Sequence, residues 1–234
     1  MTVLKTTRRE FLKISAAAGG GLLISFKMGS IDSAQAQASP GAEFEPNAWL
    51  TISSDNVVTV RVASAEMGQG IMTGIAMLVA EELDADWKTI RAEFAPAKKD
   101  YFNPLMGRQA TGGSTAIRGF WELVREAGAV AREVLLEAAA ESWSVLPNNC
   151  RIENGMIYHD ASQRSMSYGE IAGEAADRDV PSTVFLKEAD EFVLLGKPLA
   201  RLDTPEKVDG SARFACDIEL PSMMTATIAK SPVY

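Results

Sequence analysis

Between Val57 and Ala63 apolar and polar positions alternate in part, behind the turn signal Asp55-Asn56, which predicts a strand with one polar face. The segment Glu66-Met67-Gly68-Gln69-Gly70 breaks that pattern, and from Ile71 the apolar positions Ile71, Ile75, Leu78, Val79 and Leu83 recur at helical spacing. Glu81 and Glu82 fall on the other side of this helix, which is predicted to stop near Asp84. Ile90–Ala95 reads as a second short strand, and Pro96–Gln109 as a long irregular loop. A helix is predicted from Ser114 to about Trp143, with Ile117, Trp121, Val124, Ala131 and Leu135 on its apolar stripe. Arg118, Glu122, Arg125, Arg132 and Glu133 lie largely off that stripe, and Ser114 or Thr115 is the natural N-cap. Asn154-Gly155 marks a hairpin over Arg151–Tyr158. Ser167–Ala176 reads as a short helix and Pro181–Glu191 as an irregular connection. Beyond about Leu195, Gly196-Lys197-Pro198 and Lys207–Gly210 punctuate an alternating run, with strands expected at Arg213–Leu220 and Met224–Ala229 around Pro221-Ser222.

This order, strand, glycine turn, helix, strand, glycine turn, helix, defines an α+β chain built on βαβα units. If the two strands are parallel, a right-handed crossover puts both glycine turns at one edge of the sheet. Two helix N-termini then converge on one crevice, where unpaired N–H groups and the positive ends of helix dipoles favour phosphate or pyrophosphate. Gly68, Gly70, Gly112 and Gly113 permit close backbone approach, and Gln69 carries both donor and acceptor atoms at its tip.

The N-terminus changes the picture of where such a domain works. Arg8-Arg9 precedes an apolar, glycine-rich run from Ile14 to Phe26, and small residues follow at Ala34-Gln35-Ala36-Gln37-Ala38. This is the layout of a twin-arginine export signal, and the run is short for a membrane span, which needs about 20 apolar residues. The expected organisation is a signal and tail over residues 1–38, a linker over 39–48, a cofactor domain over 49–193 and a second module over 194–234. Export by this route carries folded cargo to the periplasm, in this case soluble or peripheral to the inner membrane. The total charge is −8 although the N-terminal segment is basic, so the remainder is strongly acidic and argues against nucleic acid as a partner. Two cysteines, Cys150 and Cys216, and one histidine, His159, leave no Cys/His cluster for zinc or iron–sulfur binding, so no metal-ligating residue is assigned. A Cys150–Cys216 disulfide and two separate core thiols are both compatible with an oxidising compartment.

Plainer readings compete at each motif. Gly68-x-Gly70 can be a tight turn only, Thr111–Thr115 a capped helix start, His159 a satisfied surface residue, and Arg118 a solvated one. A nicotinamide or flavin dinucleotide domain is suggested by Glu93 near the end of the second strand. Against it, the third glycine is Gly74 rather than one position earlier, and Thr59 and Arg61 interrupt what should be an apolar strand. A non-catalytic exported binding module is the alternative from a different class.

Glu66–Gly70, Leu78–Trp87 and Ala110–Thr115 together resemble the molybdopterin-binding large subunits of xanthine-oxidase-type hydroxylases, in the branch of the isoquinoline 1-oxidoreductase large (beta) chains with related aldehyde and nicotinate dehydrogenases. Gly196-Lys197-Pro198 through Asp209–Phe214 resembles the start of that family's α/β-hammerhead domain. The resemblance implies a molybdenum–molybdopterin cofactor, in its cytosine dinucleotide form, whose own dithiolene sulfurs hold the metal. It implies that Gln69 hydrogen-bonds near the molybdenum ligands and that Gly68 and Gly70 shape that turn. Thr111, Gly112, Gly113, Ser114 and Thr115 would contact the pterin or the dinucleotide phosphates. The implied reaction hydroxylates an N-heterocycle or an aldehyde with oxygen from water, and passes electrons to a small iron–sulfur subunit and on to an acceptor such as a cytochrome c. The family's base glutamate lies beyond the segment matched here, so no catalytic residue is assigned, and the chain is expected to be an inactive N-terminal part of a longer subunit.

Overall fold

Trp49–Ile52 and Val58–Val62 flank the Asp55-Asn56 turn, and the chain folds back on itself there into an antiparallel pair. The computed structural model describes residues 12–17, 21–26, 48–179, 181 and 183–233. Five strands form one sheet in chain order: β1 (Leu12–Ala17), β2 (Gly21–Phe26), β3 (Ala48–Ile52), β4 (Val58–Val62) and β5 (Ile90–Phe94). The first four pair antiparallel, and β4 and β5 pair parallel with Val58 opposite Ile90 and Val62 opposite Phe94. Most of the run expected as the apolar part of an export signal therefore lies on β1 and β2. Arg8-Arg9, Ala34–Ala38 and linker residues 39–47 lie outside the described residues.

The crossover between β4 and β5 is α1 (Ile71–Leu83), bounded by Gly70 and Asp84, both left-handed. The helix expected from Ser114 is in fact two: α2 (Thr115–Arg118) and α3 (Trp121–Ser142), broken at Gly119-Phe120. Only glycine fits at position 119, since a Cβ there would meet Asn103 Oδ1 at 2.5 Å and the Thr115 carbonyl at 2.9 Å. Helix α3 lies along α1 at close range, and a Cβ on Gly128 would meet the Val79 carbonyl at 2.7 Å. A small sheet follows, β6 (Arg151–Glu153), β7 (Met156–His159) and β8 (Arg164–Ser167), with the expected Asn154-Gly155 turn at φ 51° and 71°. The next helix, α4 (Tyr168–Ala175), is capped by Ser167 and Glu170 acting reciprocally.

The polar side of α1 is not solvated, contrary to the helical pattern. Glu81 and Glu82 are 1% and 0% exposed, because the irregular segment before residue 196 covers them and supplies their donors. Glu81 accepts the N–H groups of Val193, Leu194 and Leu195 and the Lys187 ammonium at 2.6–3.1 Å. Glu82 pairs with Arg125 at 2.6 Å and accepts the Lys187 N–H. Arg125, read from the pattern as a surface residue of α3, is likewise buried, and its guanidinium stacks between Trp121 and Phe192. Leu202 N–H donates to Thr73 Oγ1, so residues 194–202 belong with this first unit.

Residues 203–234 form a separate, smaller unit containing α5 (Thr204–Asp209), closed by left-handed Gly210. The two strands expected beyond Arg213 do not form: Ala215–Asp217 is a 3-10 turn, and Phe214, Leu220, Met224 and Ile228 are exposed. A two-stranded hairpin is marginal unless its apolar face is packed, and among the described residues of this unit these side chains stay exposed. Cys150 is half-buried and Cys216 exposed, and neither is in a disulfide. Among the described residues no helix is long and apolar enough to cross a membrane.

Two outcomes follow from the buried carboxylates. Glu82→Ala strands Arg125 in the core and lowers stability by about 3–5 kcal/mol, whereas Glu93→Ala, which breaks the surface pair with Arg61, costs about 1 kcal/mol or less; urea denaturation measures both. For Glu81, burial pushes the carboxyl up, but the N–H groups of Val193, Leu195 and Leu194 and the Lys187 ammonium outweigh it and hold the group below its ordinary 4.5. A lowered carboxylate contributes stability that is complete above 4.5 and is lost as pH falls through its folded value. Acid titration of Glu81→Gln should therefore show a shallower loss of stability below pH 4.5 than the native chain.

Candidate functional site

The parallel pairing of β4 and β5 places both glycine turns beyond the carboxyl ends of these strands, as the element order predicts. Two hydrogen bonds join them across the crevice. Thr111 Oγ1 accepts the Ala65 N–H at 2.8 Å, and Gln109 Nε2 donates to the Ala63 carbonyl at 3.4 Å. Between them lies a cleft of about 440 Å³ lined by Val62–Ala65, Phe94, Ala95 and Gln109–Thr111. Ser64 on this lining is 2% exposed, and among the described residues its Oγ has no hydrogen-bond partner.

The first turn is held from inside. The Glu66 carboxylate accepts the N–H groups of Gly68 at 2.8 Å, Gly70 at 2.9 Å and Met72 at 3.2 Å. It therefore takes the place that a helix-terminal anion would occupy. Arg201 closes the arrangement, with Nη1 donating to the Gly68 carbonyl at 2.9 Å and Nη2 to Glu66 at 3.3 Å. Gly68 and Gly70 are left-handed at φ 99° and 83°, which a side chain would strain. The expectation of two helix N-termini open to phosphate is thus corrected on both sides: the N-terminus of α1 is filled by Glu66, and α2 has only four residues. Gln69 is exposed, with Oε1 accepting the Met67 N–H and Nε2 donating to the Ala65 carbonyl at 2.7 Å. One amide hydrogen and one oxygen lone pair are left for a ligand.

The second turn is held from below. Fully buried Asn103 donates to Thr115 Oγ1 at 2.9 Å, and Thr115 Oγ1 donates to the Gly112 carbonyl at 2.8 Å. Tyr101, two residues earlier, packs on Trp49 with ring centroids 5.0 Å apart, which ties the Pro96–Gln109 loop to the sheet. Gly113 and Ser114 are both left-handed, and Ser114 makes no side-chain cap. Thr115 is buried, while Gly113 and Ser114 face solvent. The structure therefore brings Gly68–Gly70 and Thr111–Ser114 to the same edge and turns the Thr115 side chain inward. Glu66, Asn103, Gln109 and Arg201 are the organising residues that pattern reasoning missed. Only Glu66, an acid just ahead of a helix start, left a local signal.

A Cβ at Gly68, Gly70 or Gly112 would meet nothing within 4 Å, so the backbone there is open to close approach by a large ligand. Among the described residues no group of three or more His, Cys, Asp or Glu side chains could hold a metal ion. His159 contacts Ser162 Oγ at 2.7 Å in the small sheet, with its side chain buried beside Trp143.

A crossover unit with two glycine turns at the strand ends is the layout of a domain that binds a cofactor at the carboxyl edge of its sheet. The chain belongs to the molybdopterin cofactor-binding domain family, which it matches over residues 5–205. It is 33% identical to the beta chain of isoquinoline 1-oxidoreductase from Brevundimonas diminuta, over 98% of this chain and 34% of that protein. It is 31% identical to the membrane-bound aldehyde dehydrogenase (pyrroloquinoline-quinone) of Gluconacetobacter polyoxogenes, over 93% of this chain and 28% of that one. A nicotinate dehydrogenase chain of Pseudomonas putida is 27% identical over 79% of this chain and 15% of its own length. The chain thus spans about a third or less of these relatives. Among solved structures, quinoline 2-oxidoreductase from Pseudomonas putida 86 aligns with TM-score 0.44 and 20% identity, over 58% of this chain and 17% of that one.

The Arg201 contacts generate a test of how the first turn is held. Arg201→Ala should raise amide exchange at Gly68, Gly70 and Met72 by about tenfold, the equivalent of one charge-assisted hydrogen bond, with Arg201→Lys intermediate because an ammonium lacks the rigid planar fork of a guanidinium. Hydrogen–deuterium exchange over residues 64–73 reads this, and unchanged exchange in Arg201→Ala would show that the Arg201 contacts do not hold the turn.

Proposed function

We propose that this chain forms part of the cofactor site of a molybdenum hydroxylase large subunit, with Gln69 near the molybdenum ligands and Gly68 and Gly70 lying close against the pterin. Thr111, Gly112, Gly113, Ser114 and Thr115 hold the pterin or the phosphates of a cytosine dinucleotide, with Thr115 acting through the loop it braces. The observation that carries the reading is the joining of the two turns at one sheet edge through the Ala65–Thr111 hydrogen bond, in a chain of the molybdopterin family. Since Glu66 already fills the first helix terminus, the phosphates belong at the second turn and the uncharged part of the cofactor at the first.

When bound, the cofactor supplies molybdenum on dithiolene sulfurs and the transfer of a water-derived oxygen to a carbon beside a ring nitrogen or to an aldehyde carbon. The chain's own residues orient it: Gln69 through its remaining amide hydrogen and lone pair, Ser114 through its exposed hydroxyl. Glu66 is not the base, because its carboxylate is committed to three N–H groups and a guanidinium. In this reading the domain works inside a larger subunit, residues from 203 onward lead into an α/β-hammerhead domain, and electrons pass to a small iron–sulfur subunit and a cytochrome c-type acceptor. Arg8-Arg9 supports export to the periplasm by the twin-arginine route.

Metal analysis of the purified full subunit tests the proposal. Stoichiometric molybdenum with cytidine monophosphate released on acid hydrolysis is expected, and a quinone-loaded, molybdenum-free protein would overturn it. Ser114→Ala should reduce retained molybdenum, and Gln69→Ala should slow hydroxylation more than it reduces metal content. Each loses a hydrogen bond worth about 1–3 kcal/mol when left unpaired.

A further inference from the structure

The segment with the composition of an export signal is also part of the sheet. Strand β1 pairs with β2 over six residue pairs, from Leu12 opposite Phe26 to Ala17 opposite Gly21. Strand β2 in turn pairs with β3, with Leu22 opposite Ile52, Leu23 opposite Thr51 and Ile24 opposite Leu50. Leu22 is 0% exposed and sits in the main core with Leu50 and Ile52, both also 0%. Strand β2 runs beside α3 and α4 as well as β3. A second, independent observation is that the family match begins at residue 5, inside this segment rather than after it.

We propose that the paired strands Leu12–Ala17 and Gly21–Phe26 are permanent parts of the working protein, retained after any export rather than removed as a leader. Cleavage behind Ala36 or Ala38 would take two of the five strands with it. The apolar strand β3, Ala48-Trp49-Leu50-Thr51-Ile52, would become an open edge with unpaired N–H and C=O groups, the kind of edge that templates aggregation. Buried Leu50 and Ile52 would lose the neighbour that covers them. The same residues thus serve two roles in turn, an apolar run behind paired arginines and then an edge hairpin. The hairpin's role does not depend on which cofactor the domain binds.

The test uses the full subunit with a specific protease site inserted between residues 39 and 46. After cutting, the N-terminal piece should co-elute with the remainder under native conditions, and the melting temperature should stay at the uncut value until the piece is stripped by denaturant. Leu22→Ala should lower the melting temperature by about 5 °C or more. Intact mass of protein recovered from the periplasm should include residues 12–26. The proposal is overturned if the piece elutes away from a remainder that melts unchanged, or if periplasmic protein begins near residue 39 and melts as the full chain does. Cell fractionation decides the export reading separately: protein found only in the cytoplasm would sink export, while the cut-and-elute result still decides the hairpin.

Discussion

Two carboxylates at consecutive positions of α1, both buried, organise this fold. Consecutive helix residues point about 100° apart, so Glu81 and Glu82 reach different neighbours. Glu81 gathers three successive backbone N–H groups and the Lys187 ammonium, and Glu82 binds Arg125 from α3. A buried charge is tolerated only when it is paired and hydrogen-bonded, so the segment from Lys187 to Leu195 must follow one path over α1. That path delivers Arg201 and Leu202 to the other end of the same helix, where they bond Gly68, Glu66 and Thr73. Helix α1 is in this way held at both ends by one strap of chain whose regular structure is a single 3-10 turn at Ala189–Glu191.

The parts of the fold that a periodic pattern can encode were legible. The strand before the first glycine turn, the limits of α1, the Asn-Gly hairpin and the capped helix at Ser167 all stand where local spacing and turn chemistry put them. The convergence of the two glycine turns was legible on the condition that the two strands run parallel, which the pairing of β4 with β5 meets. What the pattern could not show was long-range charge pairing. Glu81, Glu82 and Arg125 look solvent-facing in a helical projection, and only the covering strap makes them interior. The close approach of Asn103 to Gly119 was hidden for a similar reason, since Asn103 lies in the Pro96–Gln109 loop. The paired strands Leu12–Ala17 and Gly21–Phe26 were hidden by composition, because an apolar run flanked by basic and small residues satisfies an export signal and an edge strand pair equally well.

The site divides its two turns by electrostatics. At the first, the protein commits the N–H groups of the α1 terminus to its own Glu66, and an internal carboxylate there repels a phosphate that an open helix terminus would attract. At the second, the loop carries no acidic residue between Ala110 and Arg118, and Arg118 is exposed beside it, its Nε on the Ser114 carbonyl. Under the proposed function, the anionic end of the cofactor would be disfavoured at Gly68–Gly70, beside Glu66, and accommodated at Thr111–Ser114. Because the Glu66 carboxylate is itself shared with Arg201, the polarity of the crevice depends on the strap that Glu81 and Glu82 hold in place, which makes the buried pair a condition of the site as well as of the fold.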